Sequence, residues 1–143
     1  MIEVTRHTLL PADALWPVIS QVRDWPAWLP TVDAVDALQP DRPDEVGASY
    51  VVQQPRLPRA TWTITELRPG RSFTWQSRAT GVTSVGWHEL HPDRAGTTIR
   101  LALEWDGPLS GVLRLLLGRR ALAYVTTEAE ALETTAATRR ADA

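Results

Sequence analysis

Residues 108–140 read PLSGVLRLLLGRRALAYVTTEAEALETTAATRR; beyond Pro108 the stretch holds no proline and predicts one continuous helix. From Tyr50 to Trp105, in contrast, the chain reads as short strands. A helix of roughly 30 residues is about 45 Å long. A globule of this size has a radius of gyration of only about 14–15 Å. The helix must therefore cross the whole molecule, and the strands must curl around it. Such an arrangement leaves space between helix and sheet.

The strands are marked by alternation. Ile99, Leu101, Leu103 and Trp105 fall on one face of the last strand, and Thr98, Arg100, Ala102 and Glu104 on the other. By the same rule Trp62, Ile64, Phe73 and Trp75 point inward on their strands. Placing Glu89 and His91 in solvent turns His88 and Leu90 inward, but it turns Val85 and Trp87 outward, so a bulge is expected in Val82–His91. Turn signals at Pro69-Gly70, Gly81 and residues 93–96 separate the strands as in an antiparallel meander. Upstream, Ile2–Leu10 forms a first strand. Pro11 and Asp13 open a short helix, and Asp24–Leu29 forms a second. On the long helix, a stripe of Gly111, Leu115, Gly118, Leu122, Val125, Ala129, Leu132 and Ala136 steps by three and four, which predicts a buried seam. Leu109, Val112, Leu113 and Leu116 add a second apolar face to its first half. The second half, with Glu128, Glu130 and Glu133, is amphipathic. Residues 1–138 are expected to form one domain, with 139–143 as a disordered tail.

Composition removes several chemistries. The chain has no cysteine, and all 15 basic residues are arginine. Thiolate nucleophiles, cysteine metal sites and lysine imines are therefore excluded. A formal charge of −2 gives no basic excess and argues against a nucleic-acid partner. No apolar run approaches the length of a membrane span, so stable membrane insertion is not expected, and a cytoplasmic location is. Neither a metal nor an organic cofactor is implied. Monomer and homodimer are both compatible with the sequence.

Among three histidines, His88 is the candidate for acid–base work, because it titrates near neutrality and points inward. A hydrogen-bonded core histidine is the competing reading. His91 lies on the opposite face, so the two cannot share one metal. Tyr50 and Gln53 offer polar tips on a neighbouring strand, and Tyr124 another on the helix. Trp28 stands at a prospective pocket mouth. Trp62, Phe73, Trp75, Leu90, Leu101, Leu103 and Trp105 on the strands, with Leu115, Gly118 and Leu122 on the helix, complete the expected lining. Tryptophans also serve as ordinary core filler, and seven are available for both uses. Gly111 and Gly118 are expected either to admit the sheet closely or to open cavity space.

The stretch from Ala14-Leu15-Trp16 through Asp24-Trp25-Pro26-Ala27-Trp28-Leu29-Pro30 resembles the opening signature of the START-like, Bet v 1-like (SRPBCC) superfamily. Residues 54–58 (QPRLP), 65–75 (TELRPGRSFTW), 107–109 (GPL) and 116–120 (LLGRR) are similar to its bacterial polyketide cyclase/dehydrase-like group. The resemblance implies an α+β helix-grip fold: a curved antiparallel sheet of six to seven strands around a long C-terminal helix, with two short helices after strand 1. It further implies a hydrophobic small molecule, polyketide- or lipid-like, held between helix and sheet. An alternative is a cyclase or aromatase, in which His88 and Tyr50 would relay protons during aldol-type closure and dehydration. A third reading is a protein-binding accessory module, which an uncovered Leu109, Val112 and Leu116 would favour.

Overall fold

The computed structural model describes residues Met1–Ala143. A first strand, β1 (Ile2–Thr8), leads into α1 (Ala12–Ser20), a 3-10 turn at Val22–Asp24 and the single-turn α2 (Trp25–Trp28). The remaining strands are β2 (Ala34–Ala37), β3 (Ser49–Gln53), β4 (Ala60–Arg68), β5 (Ser72–Ala79), β6 (Val82–Asp93) and β7 (Gly96–Asp106). The chain ends in α3 (Ser110–Ala141), 32 residues and so about 48 Å long. All seven strands form one antiparallel sheet in the order β1-β7-β6-β5-β4-β3-β2. This is the helix-grip arrangement.

Alternation places the sheet residues as their hydrophobicity demands. Ile64, Phe73, Trp75, Leu90, Ile99 and Leu101 are buried on the concave face. The β5–β6 and β6–β7 registers run without interruption, so no bulge occurs in β6. The bulge lies in β4, between Ile64 and Glu66, where it restores Leu67 to the face of Phe73. Trp87 does point outward, opposite Thr74 and Ala102, and both of those residues are buried on the convex side.

Two departures concern α3. The helix continues to Ala141, so the expected tail is helical as far as that residue. Its seam, moreover, is correct only in the second half. Val125, Ala129, Leu132 and Ala136 join the core with Leu15, Val18 and Ile19 of α1, and no residue of α3 before Val125 belongs to that core. In the first half the inward row is Leu113, Leu117 and Ala121, and Leu115 is 85% exposed. Leu122 is exposed too, and nothing lies within 4 Å of a methyl group built on Gly111. At Gly118 the only approach is 3.9 Å, to the Arg114 side chain, so neither glycine admits the sheet. The reason is that aliphatic residues occupy every side of the first half, so its periodicity has no phase. None of the helices is long and apolar enough to cross a membrane.

These positions predict opposite responses to the same truncation. Leu132→Ala, at a fully buried site, should lower the unfolding free energy by about 2–5 kcal/mol in urea titrations. Leu115→Ala should change it by less than about 0.5 kcal/mol. Comparable losses at both sites would contradict the helix phase described.

Candidate functional site

The space under the first half of α3 is a cavity of about 420 Å³. Its roof is Leu113, Leu117, Ala121, Tyr124 and Val125 of α3, and its floor is the concave face of β4–β7. One wall is the β3–β4 loop, which supplies Gln54, Leu57, Pro58 and Arg59. That loop is fastened to the helix at two points. The Tyr124 hydroxyl donates to the Pro55 carbonyl, and Arg120 Nη1 donates to the Arg56 carbonyl at 3.0 Å. Arg56 holds a left-handed backbone at φ 60° to make the turn. A dry void of this size would cost about 10 kcal/mol at about 24 cal/mol per Å³. A whole domain has only about 5–15 kcal/mol of stability, so the cavity is a place for solvent or a ligand.

Trp62 and Trp75 stack at 5.1 Å between ring centroids and form an aromatic wall. Trp75 can lie flat across β6 because Gly86 has no side chain; a Cβ there would come within 2.8 Å of the indole nitrogen.

His88 and Glu128 close the inner end. His88 is buried against Phe73, its register neighbour on β5, with the rings stacked at 4.1 Å and 10°. Trp25 and Trp75 complete an aromatic box at 5.6 and 5.5 Å. From the helix side Glu128 Oε2 approaches His88 Nε2 to 3.5 Å, longer than a typical N–H···O hydrogen bond. Nδ1 of His88 is buried with no hydrogen-bond partner. Burial acts on the two groups in opposite ways. It pushes the imidazole down to about 3 from 6.5, and the carboxyl up to about 8 from 4.5. At neutral pH the pair is therefore an uncharged acid facing an uncharged base, both lining the cavity.

Glu128 was grouped with the polar side of α3 in the sequence reading, although it falls three residues after Val125 and four before Leu132. That spacing puts it on the buried seam, and it was the available signal. Tyr50, in contrast, does not line the cavity. Its ring is buried, but its hydroxyl donates to Asp44, which also accepts from Arg23 Nε at 3.1 Å. Arg23 further donates to the carbonyls of Pro40 and Arg42 at 2.8 and 2.6 Å, so this cluster fastens the β2–β3 connection. Burial and Asp44 together raise the Tyr50 pKa, which holds the phenol neutral.

Of the other expected lining residues, Trp62, Trp75, Leu101, Leu103 and Trp105 face the cavity. Trp28, Gln53, Phe73, Leu90, Leu115, Gly118 and Leu122 do not. Phe73 and Leu90 point inward but are taken up by the core. Trp28 packs edge-on to Trp25 at 6.3 Å. Gln53 shares the outer face with Val51, and Gln54 lines the wall instead. The three helix positions face away for the reason given above. His91 bonds Glu89 at 2.9 Å on the convex side, away from His88.

A stability profile tests the buried carboxyl. Between pH 4.5 and 8 the unfolded chain has released the Glu128 proton while the folded chain keeps it, so folding loses stability as pH rises through this window. For His88 the unfolded chain holds the extra proton between pH 3 and 6.5, so that contribution rises with pH there. The two slopes oppose each other from 4.5 to 6.5, and above 6.5 only the Glu128 loss remains. Glu128→Gln should therefore gain steadily on the wild type in thermal melts between pH 4.5 and 8. A constant difference across that range would place the carboxyl in solvent.

Over residues 1–137 the chain matches the family described as polyketide cyclase/dehydrase and lipid transport, and it belongs to that family. Its fold is shared with the Zhui aromatase/cyclase of Streptomyces sp. R1128 at 18% identity and a TM-score of 0.73, covering 96% of this chain and 93% of that one. It is also shared with norcoclaurine synthase of Thalictrum flavum, solved with dopamine and hydroxybenzaldehyde, at 13% identity and a TM-score of 0.73, with coverage of 94% and 84%. The di-domain aromatase/cyclase StfQ of steffimycin biosynthesis matches with a TM-score of 0.74 and 14% identity, over 97% of this chain but 51% of that one. No curated protein sequence is significantly similar to the chain.

Proposed function

Taking that family membership as the premise, we propose that the protein binds a hydrophobic or aromatic small molecule, polyketide- or lipid-like, in the cavity under α3. The observation that carries this reading is the cavity itself: about 420 Å³, lined mainly by apolar side chains, with two tryptophans stacked along one wall. That volume suits a ligand of two or three fused or linked rings, within the range of about 300–1,000 Å³ usual for small-molecule sites. Flat indole faces favour planar guests. Of its polar groups, His88 and Glu128 sit at the inner end, where they would orient a carbonyl or hydroxyl.

A second reading, cyclisation of a poly-β-ketone by proton transfer, is favoured by the His88–Glu128 pair. Nε2 of His88 would take the proton from a carbon between two carbonyls. The resulting enolate carbon would bond to a second carbonyl carbon, and the oxygen of that carbonyl would take the Glu128 proton. The transfers support each other. Once Glu128 is ionised, its charge lies 3.5 Å from Nε2 and stabilises the imidazolium by about 5 kcal/mol at an effective dielectric constant of about 20. That offsets the loss of basicity that burial imposes on His88. Loss of water from the aldol returns the proton through the same two groups.

Both readings have direct tests. Native mass spectrometry of the purified protein should reveal a retained apolar molecule. Titration with N-phenyl-1-naphthylamine should give saturable fluorescence, and Ala121→Phe, which places a ring in the cavity, should weaken that binding at least about tenfold at unchanged melting temperature. Undiminished binding would move the ligand elsewhere. For the second reading, the protein should accelerate α-hydrogen exchange of benzoylacetone followed by NMR. His88→Ala and Glu128→Gln should each cost about 10²–10⁴-fold of that acceleration. Full activity in both variants would leave the protein as a binder only.

A further inference from the structure

Charge on this molecule is segregated in a way that its net value hides. The chain carries a formal −2, yet the three segments around the cavity's outer end are purely basic. Residues 54–63 contribute Arg56 and Arg59, residues 76–85 contribute Arg78, and residues 107–127 contribute Arg114, Arg119 and Arg120. None of these segments contains an aspartate or glutamate. Arg59 and Arg78 line the cavity itself. Two carboxylates lie near this end: Glu104, which pairs with Arg114 at 3.7 Å and with the terminal amine at 3.8 Å, and Asp106 at the end of β7.

Beside this basic rim runs an uncovered aliphatic stripe. Val112, Leu115, Leu116 and Arg119 occupy positions i, i+3, i+4 and i+7 of α3 and so share one helical face. Val112, Leu115 and Leu116 are 52%, 85% and 70% exposed, and Leu109 and Leu122 extend the stripe at either end. Leu113 and Leu117, on the other side of the helix, form the cavity roof. One side of the helix therefore closes the cavity while the opposite side presents leucine to solvent. The stripe has no aromatic residue, and aromatic side chains are what protein interfaces favour at their centre. A helix face of leucine and valine flanked by arginine has the composition of one that lies in a bilayer interface.

We propose that this end of the molecule docks peripherally on an anionic lipid surface. The Val112–Leu122 stripe enters the headgroup–acyl boundary, and the surrounding arginines meet the lipid phosphates. The docking itself does not depend on what the cavity holds. Each arginine within reach of the headgroups should contribute about fivefold in partitioning, equivalent to about 1 kcal/mol.

The test is co-sedimentation of the full chain with vesicles of phosphatidylcholine alone and with vesicles also containing phosphatidylglycerol. Binding is expected to the anionic vesicles, to weaken as salt rises, to fall about fivefold or more in Arg119→Glu, and to vanish in the double variant Leu115→Glu with Leu116→Glu. These residues are exposed, so the variants should melt with the wild type. If the double variant misfolds, Leu115→Ser should still reduce binding. No sedimentation with anionic vesicles overturns the proposal, as does equal binding to neutral vesicles that is insensitive to Arg119→Glu. A concentration-dependent dimer in sedimentation velocity that Leu116→Glu dissolves would assign the stripe to a second copy, and likewise overturns it.

Discussion

α3 joins the hydrophobic core by its second half alone, and its first half is tied only to the β3–β4 loop and to Glu104. From Val125 onward it packs into the core with α1, and before Val125 it stands over a cavity. Glu128 sits in the first turn of the held half, on the seam between Val125 and Leu132. Its side chain, 15% exposed, therefore opens on the cavity and not on the outer side of the helix. The only polar partner within reach is an imidazole boxed by aromatic rings. The packing thus dictates the chemistry: a carboxyl confined there keeps its proton, and the histidine facing it stays neutral.

The buried polar groups of the sheet differ in how fully they are partnered. Away from the cavity, the hydroxyl of Tyr50 is satisfied by Asp44, which also accepts from Arg23, and the result is structural. Beside the cavity, under the start of the second half of α3, the polar groups at the inner end have no full complement. His88 Nδ1 has no hydrogen-bond partner, and the His88–Glu128 separation is long. An incompletely satisfied buried pair beside a cavity is costly to maintain, and such costs are commonly borne at sites that meet a ligand.

Much of the fold was legible from alternation and from one long proline-free stretch. The strand faces followed from residues such as Ile99, Phe73 and Trp75, whose neighbours are polar. The first half of α3 was not legible in the same way, because leucine and valine occur there at every angle. A stripe begun at Gly111 and Leu115 is locally as good as one begun at Leu113, and only the position of the sheet chooses. Glu128 was overlooked through the opposite bias, since a carboxylate on a seam contradicts the usual partition of charge to the surface. The face of Tyr50 was left open by the sequence; it is buried, and its bond to Asp44, from a proline-broken connection, was not deducible. At Trp87 the alternation was right and the expected bulge was not needed, because Thr74 and Ala102 give an outward indole small neighbours to cover.

The most direct measurement is the titration of the Glu128 side-chain carboxyl itself, followed by ¹³C NMR in protein labelled at glutamate and assigned with the glutamine variant. A midpoint near 8 would show that the helix seals a protonated acid against His88. A midpoint near 4.5, the value of a carboxyl in water, would show that this end of the cavity is open and that the helix is not seated as described.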